Sequence, residues 1–326
     1  MYCPRLDHFA RLNHSGTVSR CGHMVSAPEF KSVEEMDNSQ WLKDITEIIK
    51  SDQWPPECTR CQSAETVGNK SIRQHSNDFH NQEFPANNNY LVIGGVLDNI
   101  CNSACQSCNS HLSTKIGSLE SRDYIKINNE SLFASLPLDR IIKLDVNGGE
   151  PTASPAYQHL LENLPPNVKY LRVNTNGSRL LPNLQNIIDR GIHVTITVSL
   201  DGIGKIHDYV RWPIKWETIS KTIESYKTYP VELNTWTTVH ALNIGNLKHI
   251  IEYTKENKID HSWALLENPD VLNVKYSNHF TRTAEVIDSL KDLVASGEDN
   301  TVELQLWTSK QDYLRGIKLW DYYKNA

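Results

Sequence analysis

The sequence lacks the features that mark membrane, secreted and nucleic-acid-binding proteins. No apolar run reaches the ~18 residues of a membrane-spanning helix, and residues 90–97 and 192–200 are among the longest. The first residues have neither the basic start nor the apolar core of a secretory signal. Lys and Arg number 33 against 39 Asp and Glu, and the formal charge of −6 disfavours capture of nucleic acid or anionic lipid. We therefore expect a cytoplasmic protein whose partners are neither a membrane nor a nucleic acid.

Motifs of several common enzyme classes are also missing. The chain has no Walker loop, no hydrolase nucleophile elbow and no dinucleotide-binding Gly-x-Gly-x-x-Gly. A chain of 326 residues buries a large core. Because folding at this size removes roughly 75% of the unfolded surface from water, disulfides are not needed for stability. The seven cysteines are better explained as metal ligands or reactive groups, since a reducing cytoplasm disfavours disulfides.

From residue 90 onward, apolar segments rich in β-branched residues alternate with amphipathic ones. This alternation predicts six parallel strands joined by right-handed helical crossovers, in an α/β fold. Functional residues of such folds lie at the carboxyl ends of the strands, whether the sheet stays open or curls into a partial barrel. The predicted strands are 90–96, 141–146, 168–173, 193–200, 231–239 and 259–266, and the helices between them are 156–164, 184–190, 216–228 and 246–257.

The two ends of the chain differ from this middle part. Residues 1–88 predict a loop-rich region with one clear helix at 39–51. Residues 271–326 predict a small appendage, with one helical stripe (Ile287, Leu290, Leu293) and one alternating strand at 301–307. We therefore expect three regions, at 1–88, 89–270 and 271–326.

A run of three cysteines, Cys101, Cys105 and Cys108, follows the first predicted strand with C-x3-C-x2-C spacing. Three thiolates so close together on one loop can face a single point. Without a nearby fourth ligand they suit a 4Fe–4S cubane with one open iron, or a zinc site completed from elsewhere. Three unligated cysteines in a turn are the remaining alternative, and the triplet alone does not decide between them.

Three further motifs follow in order at the ends of the next predicted strands: N-G-G-E-P-T at 147–152, N-T-N-G-S at 174–178 and S-L-D-G at 199–202. With the cysteine run, they make residues 90–266 resemble the radical S-adenosylmethionine (SAM) superfamily. The resemblance implies a partial (β/α)6 TIM-like barrel. It also implies that Cys101, Cys105 and Cys108 bind a catalytic 4Fe–4S cluster whose open iron chelates SAM.

The resemblance further implies a reaction and a set of SAM contacts. One electron from a flavodoxin- or ferredoxin-type reductant would cleave SAM to methionine and a 5′-deoxyadenosyl radical, which would remove hydrogen from a peptide or small-metabolite substrate. Ser107 stands where many members have an aromatic residue against the adenine, so the adenine contacts cannot be transferred. The implied SAM contacts are Gly148, Gly149 and Glu150 with the amino group, Ser199 with the ribose or carboxylate, Arg211 with the carboxylate, and Asn176 lining the cavity.

The other four cysteines all precede residue 88: Cys3, Cys21, Cys58 and Cys61. The C-x2-C spacing of the last pair is the tightest common chelating spacing, and four cysteines suit zinc or iron alike. Free, packed thiols are a third interpretation.

These four cysteines and the segment K-Q-D-Y-L-R-G at 310–316 resemble twitch-type auxiliary-cluster domains. The resemblance implies a second 4Fe–4S cluster, with zinc as the alternative, in a small domain formed by the N- and C-terminal segments. A non-enzymatic zinc-binding adaptor is the competing hypothesis for the whole chain.

Overall fold

The structure, a computed structural model, describes residues 1–83, 89–121, 125–279, 286–295 and 300–323. Within these ranges, no helix has the length and apolar character needed to cross a membrane. Contacts divide the chain into two units, and the region boundaries expected at 88 and 270 stay predictions. The first unit comprises Met1–Asp98, Ile127–Gly148 and His159–Arg172, and the second comprises Asn99–Lys126, Gly149–Gln158 and Val173–Ala326.

The strands are β1 Phe9–Leu12, β2 Val18–Ser19, β3 Leu91–Val96, β4 Ile141–Asn147, β5 Tyr170–Thr175, β6 His193–Ser199, β7 Glu232–Val239 and β8 Asp260–Leu265. They form an eight-stranded sheet in the order β2-β1-β3-β4-β5-β6-β7-β8. The β1–β2 pair is antiparallel, whereas β1–β3, β3–β4, β6–β7 and β7–β8 are parallel. The six predicted strands and the α/β class are confirmed, and the sequential order of β3 to β8 is that of a partial (β/α)6 barrel.

The predicted helices at 39–51, 156–164, 184–190, 216–228 and 246–257 are confirmed, as is the helix over the stripe at 287–293. The helices of the described residues are α1 Arg5–His8, α2 Val33–Asn38, α3 Gln40–Lys50, α4 Thr59–Thr66, α5 Ile72–Glu83, α6 Thr114–Glu120, α7 Glu130–Ala134, α8 Pro155–Glu162, α9 Leu184–Asp189, α10 Lys205–Val210, α11 Trp216–Tyr226, α12 Leu247–Glu256, α13 Asp288–Ala295, α14 Thr301–Arg315 and α15 Trp320–Tyr323.

Two predictions about the chain ends are wrong. Residues 1–83 are not loop-rich, because β1, β2 and five helices lie there. The strands have only four and two residues, and α4 has no buried residue, so neither produces a periodic apolar signal. The strand predicted at 301–307 is part of α14, whose buried residues Leu304, Thr308, Gln311 and Arg315 follow the helical period. Most of that period lies beyond Trp307, so a seven-residue window could not reveal it.

Each unit has its own apolar core near its cysteines. In the first unit, Leu6 packs with Leu42, Ile45 and Ile49 of α3, and Cys3 lies against this cluster. Ser39 begins α3 by accepting a hydrogen bond from the Leu42 N–H, as a helix N-cap does.

In the second unit, a core cluster joins α10 to α14. Ile206, Tyr209 and Val210 pack there with Leu242, and Leu304 and Leu319 belong to the same cluster. This packing fixes α14 against α10, the helix that precedes Arg211.

Candidate active site and four-cysteine site

The three cysteines of the second unit, Cys101, Cys105 and Cys108, share one short turn. The hydroxyl of Ser103 lies 3.3 Å from the sulfur of Cys101 and 3.6 Å from that of Cys105, and the Cys108 N–H donates to the Cys105 carbonyl at 3.3 Å. Burial, followed by the neighbouring Cys105, raises the pKa of Cys101 and raises that of Cys108 to about 12. A bound cation would therefore be needed to hold Cys101 and Cys108 deprotonated.

Asn176 at the end of β5 ties this cysteine turn to the sheet. Its side-chain amide donates to Asn102 Oδ1 at 2.8 Å, and the Asn102 amide donates in turn to Ser178 Oγ at 3.0 Å. The Ser113 hydroxyl donates to the Ser103 carbonyl at 2.7 Å. The turn is thus held by polar side chains from outside it, and the predicted site residue Asn176 contacts the loop directly.

Gly149 lies where only a glycine fits. A Cβ atom there would lie 2.0 Å from the Ile100 carbonyl oxygen, and the next residue, Glu150, donates its N–H to that oxygen at 2.7 Å. Because Gly149 has no side chain, its backbone lies close to the backbone of the cysteine segment. The sequence had predicted that the same glycine lets the backbone approach a ligand. Gly148 has a φ of 140°, which also favours glycine.

The carboxylate of Glu150 is buried, with 1% of the residue exposed. Its Oε1 accepts hydrogen bonds from the hydroxyls of Thr152 and Thr175, both at 2.7 Å, and from the Thr152 N–H at 3.0 Å. Its Oε2 accepts the Asn176 N–H at 2.6 Å. An ionised carboxylate has about four acceptor positions, so Oε2 keeps capacity for one more donor.

Arg211 lies beside the cysteines with one donor unused. Its Nη1 donates to Asp201 Oδ2 at 2.5 Å, and Asp201 Oδ1 accepts the Thr238 N–H at 2.8 Å. Burial opposes the charge, but the Cys105 thiol and the Asp201 carboxylate outweigh burial and raise the pKa of Arg211. The Nε atom of Arg211 is buried and has no hydrogen-bond partner. This orphaned donor is suited to an anionic ligand group.

Two uncharged histidines lie near this ion pair. Burial, followed by the charge of Arg211, lowers the pKa of His207 to about 3, and burial lowers that of His240 to about 4. Both rings are therefore neutral at physiological pH.

The structure brings some of the sequence-predicted residues together and leaves others open. The cysteine turn, Glu150, Asn176 and Arg211 lie in the second unit and are joined by the contacts above. Ser199 ends β6 opposite Trp236 and is partly exposed, so its predicted contact, like that of Gly148, stays a prediction. Sequence reasoning did not assign Ser103 or Asn102, although their place inside the cysteine run was the available signal.

The four-cysteine site belongs to the first unit. Cys3, Cys21, Cys58 and Cys61 are free thiols that line one cavity. Cys3 precedes α1, Cys21 follows β2, and the last two lie at the start of α4. Burial and the neighbouring thiols raise the pKa of Cys3 and of Cys58 to about 12. Separate segments thus converge on one sulfur-rich cavity.

Two arginines line the same cavity. Arg5 Nη1 lies 3.7 Å from Cys21 Sγ, while its Nε donates to Ser76 Oγ at 3.1 Å. Arg73 forms a two-pronged ion pair with Glu65, with N–O distances of 2.9 and 2.5 Å. These cations offset the negative charge that four thiolates would carry.

The donor geometry of both sites bears on the kind of metal they would hold. In the described ranges, no group of three or more His, Cys, Asp or Glu side chains converges enough for one metal ion. Tetrahedral zinc–thiolate sites need sulfurs about 3.8 Å apart, as follows from a Zn–S bond of about 2.3 Å. Each cysteine of a cubane binds a different iron, so its sulfurs are spread more widely.

No protein-family model matches the chain, and no curated protein matches it. Among solved structures, anSMEcpe with bound AdoMet and Kp18Cys peptide is 19% identical, with 70% of this chain and 62% of that chain covered and a TM-score of 0.45. SuiB of Streptococcus suis bound to S-adenosylmethionine is 14% identical, with 94% and 69% covered and a TM-score of 0.43. SuiB bound to the precursor peptide SuiA is 13% identical, with 95% and 69% covered and a TM-score of 0.42. At these values the likeness assigns no function.

Proposed function

We propose that this protein is a radical SAM enzyme that acts on a peptide or a small molecule. Its three-cysteine turn would hold a 4Fe–4S cluster through Cys101, Cys105 and Cys108. When bound, the cluster supplies one electron to SAM, and cleavage of the C–S bond gives methionine and a 5′-deoxyadenosyl radical that takes hydrogen from the substrate. The main support is the grouping of three free thiols beside a buried guanidinium with an unused Nε donor.

The chain's own residues would bind and orient SAM. The unused Nε of Arg211 is a charge-assisted donor for the SAM carboxylate, while its Nη1 is held in place by Asp201. The remaining acceptor capacity of Glu150 Oε2 suits the SAM ammonium group. The neutral rings of His207 and His240 add no competing charge near Arg211 and Asp201.

The four-cysteine site would hold a second 4Fe–4S cluster, with zinc as the alternative. The convergence of four thiols on one cavity, with Arg5 and Arg73 beside them to offset negative charge, supports the cluster. Four protein thiolates would ligate all four irons, which favours electron transfer or a structural role over direct substrate binding. A flavodoxin- or ferredoxin-type protein would be the reductant.

One experiment separates this proposal from the zinc-binding adaptor. Anaerobically purified protein should be brown and contain about eight irons and about eight sulfides per chain. With dithionite and SAM it should form 5′-deoxyadenosine, and Cys105→Ala should abolish that product.

Cys58→Ala is the matched control, because it removes a thiol from the other site. It should lose about half of the iron and still cleave SAM. A colourless, zinc-loaded wild type would support the adaptor, and cleavage that persists in Cys105→Ala would contradict the ligand assignment.

A further inference from the structure

Helix α14 places a buried guanidinium on the carbonyl groups of the cysteine turn. Arg315, the last residue of α14, is 7% exposed. Its Nε and Nη2 both donate to the Ala104 carbonyl, at 2.9 and 2.8 Å, and Nη2 also reaches the Cys105 carbonyl at 3.4 Å. Its Nη1 donates to the Gln311 carbonyl at 3.2 Å. The planar fork of one side chain therefore spans the turn between the first two cysteines.

Arg315 has no carboxylate partner in the part of the chain that the structure describes. The nearby Asp312 carboxylate instead accepts the Tyr209 hydroxyl at 2.9 Å and the Leu319 N–H at 2.6 Å. Arg211, by contrast, is paired with Asp201. A buried cation without an anion is costly, and an apolar side chain would fill the position at less cost. Asp312 and Glu120 act on Arg315 electrostatically without forming an ion pair with it, so a negative charge held by the cysteine turn would add to their compensation.

A cubane on this turn would add negative charge next to Arg315. Three thiolates outweigh the dipositive core of an oxidised cubane, and one-electron reduction makes the site still more negative. The Cys105 thiol already acts on Arg315 electrostatically. A fixed positive charge nearby therefore stabilises the reduced form more than the oxidised form.

We propose that Arg315 is a positioning residue of the radical SAM site, which fixes the cysteine turn through its carbonyl groups and supplies the counter-charge that makes the cluster easier to reduce. This inference rests on the proposed function. It assigns the conspicuous K-Q-D-Y-L-R-G segment a role at the three-cysteine site, distinct from its predicted place in an auxiliary domain.

The test is an EPR-monitored redox titration of the anaerobic full-length holoprotein in three variants. Arg315→Gln removes the charge and should shift the midpoint potential of the SAM-binding cluster to more negative values. Arg315→Lys keeps the charge and should recover most of that shift, although a single ammonium replaces the fork. Lys310→Gln removes an exposed charge from the same helix and should leave the potential unchanged.

A second readout follows the turn itself. Both Arg315 variants should show faster hydrogen exchange at the amides of residues 104–106, whereas Lys310→Gln should not. An unchanged potential in iron-loaded Arg315→Gln would overturn the inference while leaving the proposed function intact. If Arg315→Gln fails to retain iron, Arg315→Lys decides, because a wild-type potential supports the counter-charge and a shifted one overturns it. A wild type without an iron–sulfur EPR signal would overturn both.

Discussion

The two cysteine sites are built in opposite ways. The three-cysteine site takes all its sulfurs from one turn and is held in shape by distant side chains, such as Asn176 and Arg315. The four-cysteine site takes its sulfurs from separate segments and is lined by Arg5 and Arg73, which have partners nearby in the first unit. The shape of the three-cysteine site depends on side chains that pack against one turn, whereas that of the four-cysteine site depends on the fold of several segments. Substitutions away from the sulfurs should therefore damage the three-cysteine site more.

The largest effect is expected for Gly149→Ala. Its new Cβ would lie 2.0 Å from the Ile100 carbonyl oxygen, so the cysteine segment must move. We expect a loss of about 3 kcal/mol or more in the free energy of unfolding. We also expect loss of SAM cleavage with about four irons retained at the other site, as iron analysis would measure. Gly191→Ala, where a Cβ meets no atom within 4 Å, should keep both clusters. A full iron content in Gly149→Ala would contradict the packing argument.

An intermediate effect is expected when acid lowers the free energy of unfolding through the buried His207 of the second unit. The pKa of His207 in the folded protein is about 3, below the unfolded value of about 6.5. The unfolded chain therefore binds the proton first, and stability that is complete above pH 6.5 falls as the pH decreases. We expect His207 to cost about 2 kcal/mol between pH 7 and pH 5, since one pKa unit is worth about 1.4 kcal/mol.

Urea unfolding of wild type and His207→Phe at the two pH values measures this cost. The variant should lose less stability than wild type on acidification, while the exposed His193→Phe should behave like wild type. Equal losses in wild type and His207→Phe would argue against a buried neutral ring.

The smallest effect is expected for Arg73→Met at the four-cysteine site. Burial acts to raise the pKa of Glu65, but hydrogen bonds from Arg73 and Ser71 outweigh it and lower that pKa. Loss of the ion pair should cost about 1 kcal/mol and leave SAM cleavage unchanged. Lys70→Met, which breaks an exposed pair with Asp78, should cost almost nothing in the same thermal denaturation series. A loss of SAM cleavage in Arg73→Met would contradict the prediction that the four-cysteine site does not affect SAM cleavage.

The fold was readable from the sequence where elements were long and apolar. The six central strands have six to eight residues each, whereas β1 and β2 are too short to show a period, and the first half of α14 alternates like a strand. The cysteine turn was readable because its ligands are adjacent. Its support was not, since Asn176 lies 74 residues from Asn102 and Arg315 lies 211 residues from Ala104. Hydrogen bonds over such separations leave no local pattern.

The separation of Ala104 and Arg315 by 211 residues also determines the order in which the two sites form during synthesis. All four thiols and both arginines of the four-cysteine site lie within the first 73 residues, so they emerge from the ribosome early in translation. The fork on the Ala104 carbonyl must wait for Arg315, which at about 5–20 residues per second follows roughly 10–50 s later. The side chains of the four-cysteine site are therefore present first, while the three-cysteine turn still lacks its hydrogen bonds from Arg315.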